Sequence, residues 1–118
     1  MSAGPSGQSQ AIAEEIEDDR GPVIVTVEYK IDPVNAEPFL TTMDDYGETR
    51  RRNGAYALDI SEDIEDLGTY KDYFLVYTWL EHKRQHHRVV EAELEIKAKV
   101  MQYTLDQKRT RARLLIAP

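Results

Sequence analysis

Residues 70–79 read Y-K-D-Y-F-L-V-Y-T-W. Tyr73, Leu75, Tyr77 and Trp79 alternate with Phe74, Val76 and Thr78, so a strand over 70–79 is apolar on both faces and belongs between two layers. Its neighbours in the chain decide which layers are available. Upstream, V-I-V-T-V-E-Y-K at 23–30 sets Val23, Val25, Val27 and Tyr29 on one face of a strand and Ile24, Thr26, Glu28 and Lys30 on the other. Asp32-Pro33 then offers a helix cap and a first helical residue, and Ala36, Phe39, Leu40, Met43 and Tyr46 recur as one apolar stripe. Arg50, Arg51 and Arg52 close that helix where cations meet the negative end of the dipole, and Asn53-Gly54 stops it. The helix is predicted over 33–52.

A second strand follows at 55–62, with Tyr56, Leu58 and Ile60 alternating with Ala57, Asp59 and Ser61, and the acidic stretch 63–69 turns the chain into 70–79. Beyond it, Val90, Leu94, Ala98, Met101 and Leu105 predict one long helix over 80–107, and 111–116 is a short last strand. The order β-α-β-β-α-β predicts an α+β, ferredoxin-like fold, a four-stranded antiparallel sheet with two helices on one face. Two helices cover one face only. The opposite face, carrying either Phe74 and Val76 or Tyr73, Leu75 and Tyr77, needs another partner, and a homodimer packed sheet to sheet is expected. A face kept tolerably wet by its aromatic hydroxyls is the alternative.

The chain has 118 residues, 15 Lys and Arg against 22 Asp and Glu, and no cysteine. Without a thiol there is no disulfide framework, Cys-ligated zinc, iron–sulfur cluster or cysteine nucleophile. The net charge of −7 opposes nucleic-acid binding, which wants a basic surface. No apolar run approaches the roughly 20 residues that cross a bilayer. Residues 1–20 stand apart: small and polar up to Gln10, then Glu14, Glu15, Glu17, Asp18 and Asp19 with only Ile12 and Ile16 as larger apolar side chains. Such a segment buries too little to offset its ordering entropy, so 1–20 is expected to be a flexible acidic leader or linker, with a helical turn near 11–16, and 21–118 the folded domain.

Candidate chemistry gathers in two places. Trp79, with Tyr29, Tyr56, Tyr73 and Tyr77, is expected to line an aromatic cavity suited to a planar ligand, the alternative being core or interface packing. His82, His86 and His87 fall within W-L-E-H-K-R-Q-H-H-R, and on a helix His82 and His86 share one face. That spacing suits a metal, but no further histidine or cysteine completes a site and Lys83-Arg84 adds repulsive charge, so no metal is assigned. Locally bonded histidines and a small-molecule pocket remain the two readings. Arg50, Arg51 and Arg52 are a candidate anion site whose place at a helix end already accounts for them. No nucleophile elbow, phosphate loop or spaced carboxylate pair marks out a catalytic set.

Three stretches, G-P-V-I-V-T-V-E-Y-K-I-D-P at 21–33, R-R-R-N-G-A at 50–55 and W-L-E-H-K-R-Q-H at 79–86, resemble the soluble C-terminal domain of bacterial major facilitator superfamily permeases of the enterobactin-exporter-like group. That domain is similar in turn to the dimeric α/β-barrel superfamily of antibiotic-biosynthesis monooxygenases. The resemblance implies that 1–20 leaves a last transmembrane helix and that the domain faces the cytoplasm at the inner membrane. A free-standing relative is the other possibility. It also implies a non-catalytic dimerisation and ligand-sensing role without cofactor, the alternative being a cofactor-free monooxygenase or haem-binding enzyme. Haem-degrading members of the superfamily pair an Asn on the first strand with a Trp after the third and a His about ten residues on. Here Trp79 could match, but the first strand has no Asn and the tenth residue past Trp79 is Val89.

Overall fold

The computed structural model describes residues 15–87, 91–105 and 110–118. Most of the expected leader, 1–14, lies outside the described residues. The elements are β1 (Val23–Lys30), a 3-10 turn (Pro33–Asn35), α1 (Ala36–Arg52), β2 (Tyr56–Glu62), β3 (Thr69–Val76), α2 (Trp79–His87), α3 (Glu91–Gln102) and β4 (Arg111–Ile116). The strands form one antiparallel sheet in the order β2-β3-β1-β4. This is the ferredoxin-like α+β arrangement, the subunit fold of dimeric α/β barrels, with the helices on one face. Where one helix is predicted over 80–107, α2 and α3 are described separately and 88–90 and 106–109 lie outside the described residues.

The register settles which side of each strand meets the helices. Val25 sits opposite Phe74 on one side and Leu114 on the other, and Val23 opposite Val76 and Ile116. These residues turn toward the helices, where Val23, Val25, Phe74 and Val76 are buried with Ala55 and Trp79. A second buried group joins Tyr29, Ile31 and Tyr70 to Phe39 and Met43 of α1 and Val100 of α3. Phe39 is its hub, edge-on to Tyr29 with ring centroids 5.5 Å apart and 5.2 Å from Tyr70. Where a helix is predicted from 33, Asp32 accepts a hydrogen bond from the Val34 amide (3.0 Å) and Pro33 opens the 3-10 turn, and α1 follows from Ala36 with no side-chain cap from Asn35.

Two local devices alter the expected faces. Tyr56 pairs with Leu75 but Asp59 with Tyr73, so β2 carries one extra residue, and the bulge falls at Ala57, whose φ is +52°. Strict alternation would keep Tyr56 with Leu58 and Ile60; the bulge instead sends Tyr56 to the helix-free face, while Leu58 and Ile60 pack on the helix side. The second device is Thr78, whose hydroxyl accepts from the Glu81 amide (3.1 Å) and starts α2. Trp79 therefore leaves the Tyr73-Leu75-Tyr77 face, where a strand running to 79 would hold it, and is buried in the core.

The described part of the leader is tied to this corner. Trp79 and Leu80 donate their amides to the carbonyls of Arg20 (2.7 Å) and Asp18 (3.0 Å), Lys83 pairs with Asp18, and Arg20 reaches the Ala117 carbonyl (3.0 Å). Ile16 packs against the core. The first α2 amides thus find partners in the chain that composition alone marks as too polar to order. Gly21 passes so close to β3 that a Cβ there would meet the Tyr77 carbonyl oxygen at 2.0 Å, so the entry of the chain admits no side chain.

Candidate functional site

Between the sheet and its helices lies a cavity of about 400 Å³. Val25, Val27 and Tyr29 of β1 and Phe74 of β3 form its floor; Tyr46 and Arg50 of α1, His82 and Gln85 of α2, and Glu93, Leu94 and Lys97 of α3 form its walls. Its size falls in the range of small-molecule sites, as does its mix of apolar lining and few polar groups. Among the described residues no helix is long and apolar enough to cross a membrane, and no group of three or more His, Asp or Glu could hold a metal ion.

Arg50 dominates the polar chemistry. Its Nη1 donates to Asp72 Oδ2 at 2.5 Å, and its guanidinium lies 4.0 Å over the Tyr46 ring and 4.5 Å over Phe74. Asp72 is the one acid on the core-facing side of β3, and Arg50 is the charge that lets it stay there. Burial pushes the Asp72 carboxyl above its ordinary value, and Arg50 pulls it only part of the way back. For Arg50 itself burial acts downward and is the largest single influence, but the charge and hydrogen bond of Asp72, with smaller help from the Tyr46 and Tyr29 phenols, together outweigh it and keep the guanidinium protonated. Burial pushes the Tyr29 phenol well up, so it stays a neutral hydroxyl.

Polar contacts also tie the helices together along one wall. Gln85 donates to the Asn53 carbonyl (2.5 Å), and the Asn53 side-chain Nδ2 donates to Glu93, linking the end of α1 to α2 and α3. Thr110 Oγ1, on the cavity wall, and the Trp79 indole N–H are buried without a hydrogen-bond partner among the described residues.

The expected aromatic cluster is divided. Tyr29 and His82 line the cavity. Trp79 stands behind His82, the rings stacked with centroids 5.2 Å apart. Tyr56 and Tyr77 stack on each other at 4.2 Å on the helix-free face, where the Ala57 bulge delivers Tyr56. His86 lies on α2, its side chain outside the described residues. The three arginines also part: Arg50 enters the cavity, Arg51 pairs with Glu48 at the surface, and Arg52 is exposed. Tyr46, Asn53, Asp72, Gln85, Glu93 and Thr110 were not picked out by sequence. Asp72 alone carried a signal, a charge at an inward position of a strand otherwise reading Tyr70, Phe74, Val76.

The helix-free face is graded. One row crosses all four strands as Tyr56, Leu75, Ile24 and Leu115, with Tyr77 stacked beside it. The next row is Asp59, Tyr73, Thr26 and Arg113, and the third is Ser61, Lys71, Glu28 and Arg111. The face is thus apolar at the end where the chain enters and charged at the other.

A family model described as transmembrane secretion effector matches residues 3–117. No match is found among curated protein sequences. Among solved structures, the chain is similar to a Caulobacter crescentus protein provisionally described as an antibiotic biosynthesis monooxygenase (18% identity, TM-score 0.71, 86% of this chain and 93% of that one). It is also similar to Rv0793 of Mycobacterium tuberculosis (19%, 0.63, 83% and 95%). A variant of SnoaB, a cofactor-independent oxygenase of Streptomyces nogalater, is similar at 11% identity (0.66, 80% and 91%). At these identities the likeness is one of fold.

Proposed function

This chain belongs to the transmembrane secretion effector family, and from that premise we propose that it is a non-catalytic module of a permease-type transporter, placed on the cytoplasmic side, that dimerises and senses a small molecule. The observation that carries the reading is the row Tyr56-Leu75-Ile24-Leu115 on the face without helices. An apolar row at one end of a sheet is self-complementary across a two-fold axis, which brings like row against like row and leaves the charged rows at the rim.

The cavity is the sensing site. Arg50 is neutralised by Asp72, and Glu93 and Lys97, four residues apart on α3, bring one charge of each sign to the lining, so it does not select a charged molecule. It fits an uncharged, largely apolar ligand whose oxygen accepts from Arg50 or from the Thr110 hydroxyl. Light scattering at tens of micromolar tests the assembly, where twice the chain mass of 13.6 kDa is expected and a monomer refutes it. Thermal-shift titration with neutral and carboxylated aromatics tests the site: neutral compounds should stabilise the fold, and a preference for carboxylates contradicts it.

A second reading, a cofactor-free oxygenase, is favoured by one observation, His82 on the cavity wall stacked on Trp79, a base that could take a proton from a hydroxylated aromatic. Turnover of hydroxylated polyaromatics by the purified chain would support it; no turnover and no Soret shift with haemin retire it and its haem-binding variant.

A further inference from the structure

At the end of the sheet away from the chain entry, the β2–β3 connection (63–68) meets the turn after β1. The Ile31 amide donates to the Gly68 carbonyl (2.7 Å), and Lys30 Nζ reaches Asp66 Oδ1 (2.8 Å) and the Leu67 carbonyl (3.2 Å). Within the connection, the amides of Asp63, Asp66 and Thr69 donate to the carbonyls of Thr69, Asp63 and Asp66, and the Glu65 and Gly68 amides to the carboxylates of Asp63 and Glu62. Gly68 sits at φ +94°, where a Cβ would come within 2.9 Å of the Ile31 oxygen. This loop is a braced structure, and it holds its largest apolar side chains in water: Ile64 is 88% exposed and Leu67 70%, with Val34 of the neighbouring turn at 78%.

We infer that this loop end is a docking surface for a Lys- and Arg-rich, leucine-bearing segment of a partner protein. Charge selects that occupant. Asp32, Glu62, Asp63, Glu65 and Asp66 lie in the same two segments as the three apolar side chains, five acids against Lys30, which pairs with Asp66, and Lys71 and Arg111 in the adjoining row of the sheet. A second copy would bring the same acids against these, and an anionic bilayer would be repelled as well. A basic segment meets complementary charge at the rim and places its own apolar side chains on Ile64, Leu67 and Val34. Because the loop is already ordered by its own hydrogen bonds, little conformational entropy is lost from this side on binding. The surface is separate from both the cavity and the apolar row of the helix-free face.

The test uses the whole chain and a fluorescein-labelled amphipathic peptide of lysine and leucine, read by anisotropy and by backbone amide shifts. Binding should perturb the amides of Ile31, Asp32, Val34 and 62–69. The double substitution Ile64→Ser, Leu67→Ser, which leaves every charge in place, should weaken it about tenfold. The same peptide with glutamate for lysine should not bind, nor should vesicles of phosphatidylcholine and phosphatidylserine. Both side chains are exposed, so the variant's thermal midpoint should match the parent's. Binding unaffected by the double substitution, shifts confined to other residues, or vesicle binding would overturn the proposal.

Discussion

Replacing Asp72 with asparagine leaves Arg50 charged inside the fold with its counter-ion gone. The side chains of Asp72 and Arg50 are 5% and 10% exposed, so both groups are largely withdrawn from bulk water. Breaking a buried pair at one end costs about 3–5 kcal/mol, whereas exchanging both members for apolar residues is often neutral. Arg50 borders the cavity and keeps its contacts with Tyr46 and Phe74, which places the expected loss near the lower limit, about 3 kcal/mol. At an unfolding entropy of about 0.2 kcal/mol/K for a domain of this length, that is a fall in Tm of about 15 °C. Urea denaturation followed through Trp79, the single tryptophan, supplies the measurement. The paired variant Arg50→Met, Asp72→Leu should recover most of the loss. If Asp72→Asn costs under about 1 kcal/mol, or if the paired variant is as damaged as the single one, the pair is not what holds the α1–β3 contact.

Three further outcomes are expected. The native Tyr29 phenol ionises above the unfolded one, so its contribution is complete below about pH 10 and is lost as pH rises beyond it, at about 1.4 kcal/mol per pH unit; Tyr29→Phe should flatten that alkaline slope in urea titrations at stepped pH, and an unchanged slope counts against the burial described. Ala57→Gly relieves a left-handed backbone at φ +52° at the cost of glycine's greater chain entropy, for a net gain of about 0.5 kcal/mol by calorimetry, and a loss would show that the bulge is not strained. Thr78→Ala should lose about 1 kcal/mol and Thr78→Ser almost none, because the hydroxyl caps α2; equal losses would assign the effect to the methyl group.

Much of the fold was legible because β1, α1 and β3 each carry an undivided period. The alternation at 23–30 and the stripe from Ala36 to Tyr46 agree with their caps, and nothing tertiary overrides them. What was illegible turns on single residues. An extra residue at Ala57 reverses the side of Tyr56, and no propensity of alanine announces a positive φ. Thr78 and Glu81 had the spacing of a capping box, but the apolar run through Trp79 reads more strongly as strand. Residues 16–20 are ordered by amides of α2 that lie some sixty positions away, which composition cannot register. Arg50 had a sufficient local explanation at a helix end, and only the packing of α1 against the sheet brings it to Asp72 on β3. The cavity is likewise a product of three helices and a sheet, so its polar residues shared no sequence neighbourhood.

In the proposed function two copies meet through the apolar row of the helix-free face. Sedimentation equilibrium on the parent chain and on Leu75→Lys at the same concentration tests it directly, since Leu75 is in the middle of that row and contributes nothing to the helix-side core. A parent at twice the single-chain mass and a folded, monomeric variant are predicted; a monomeric parent, or a variant that remains paired, would contradict it.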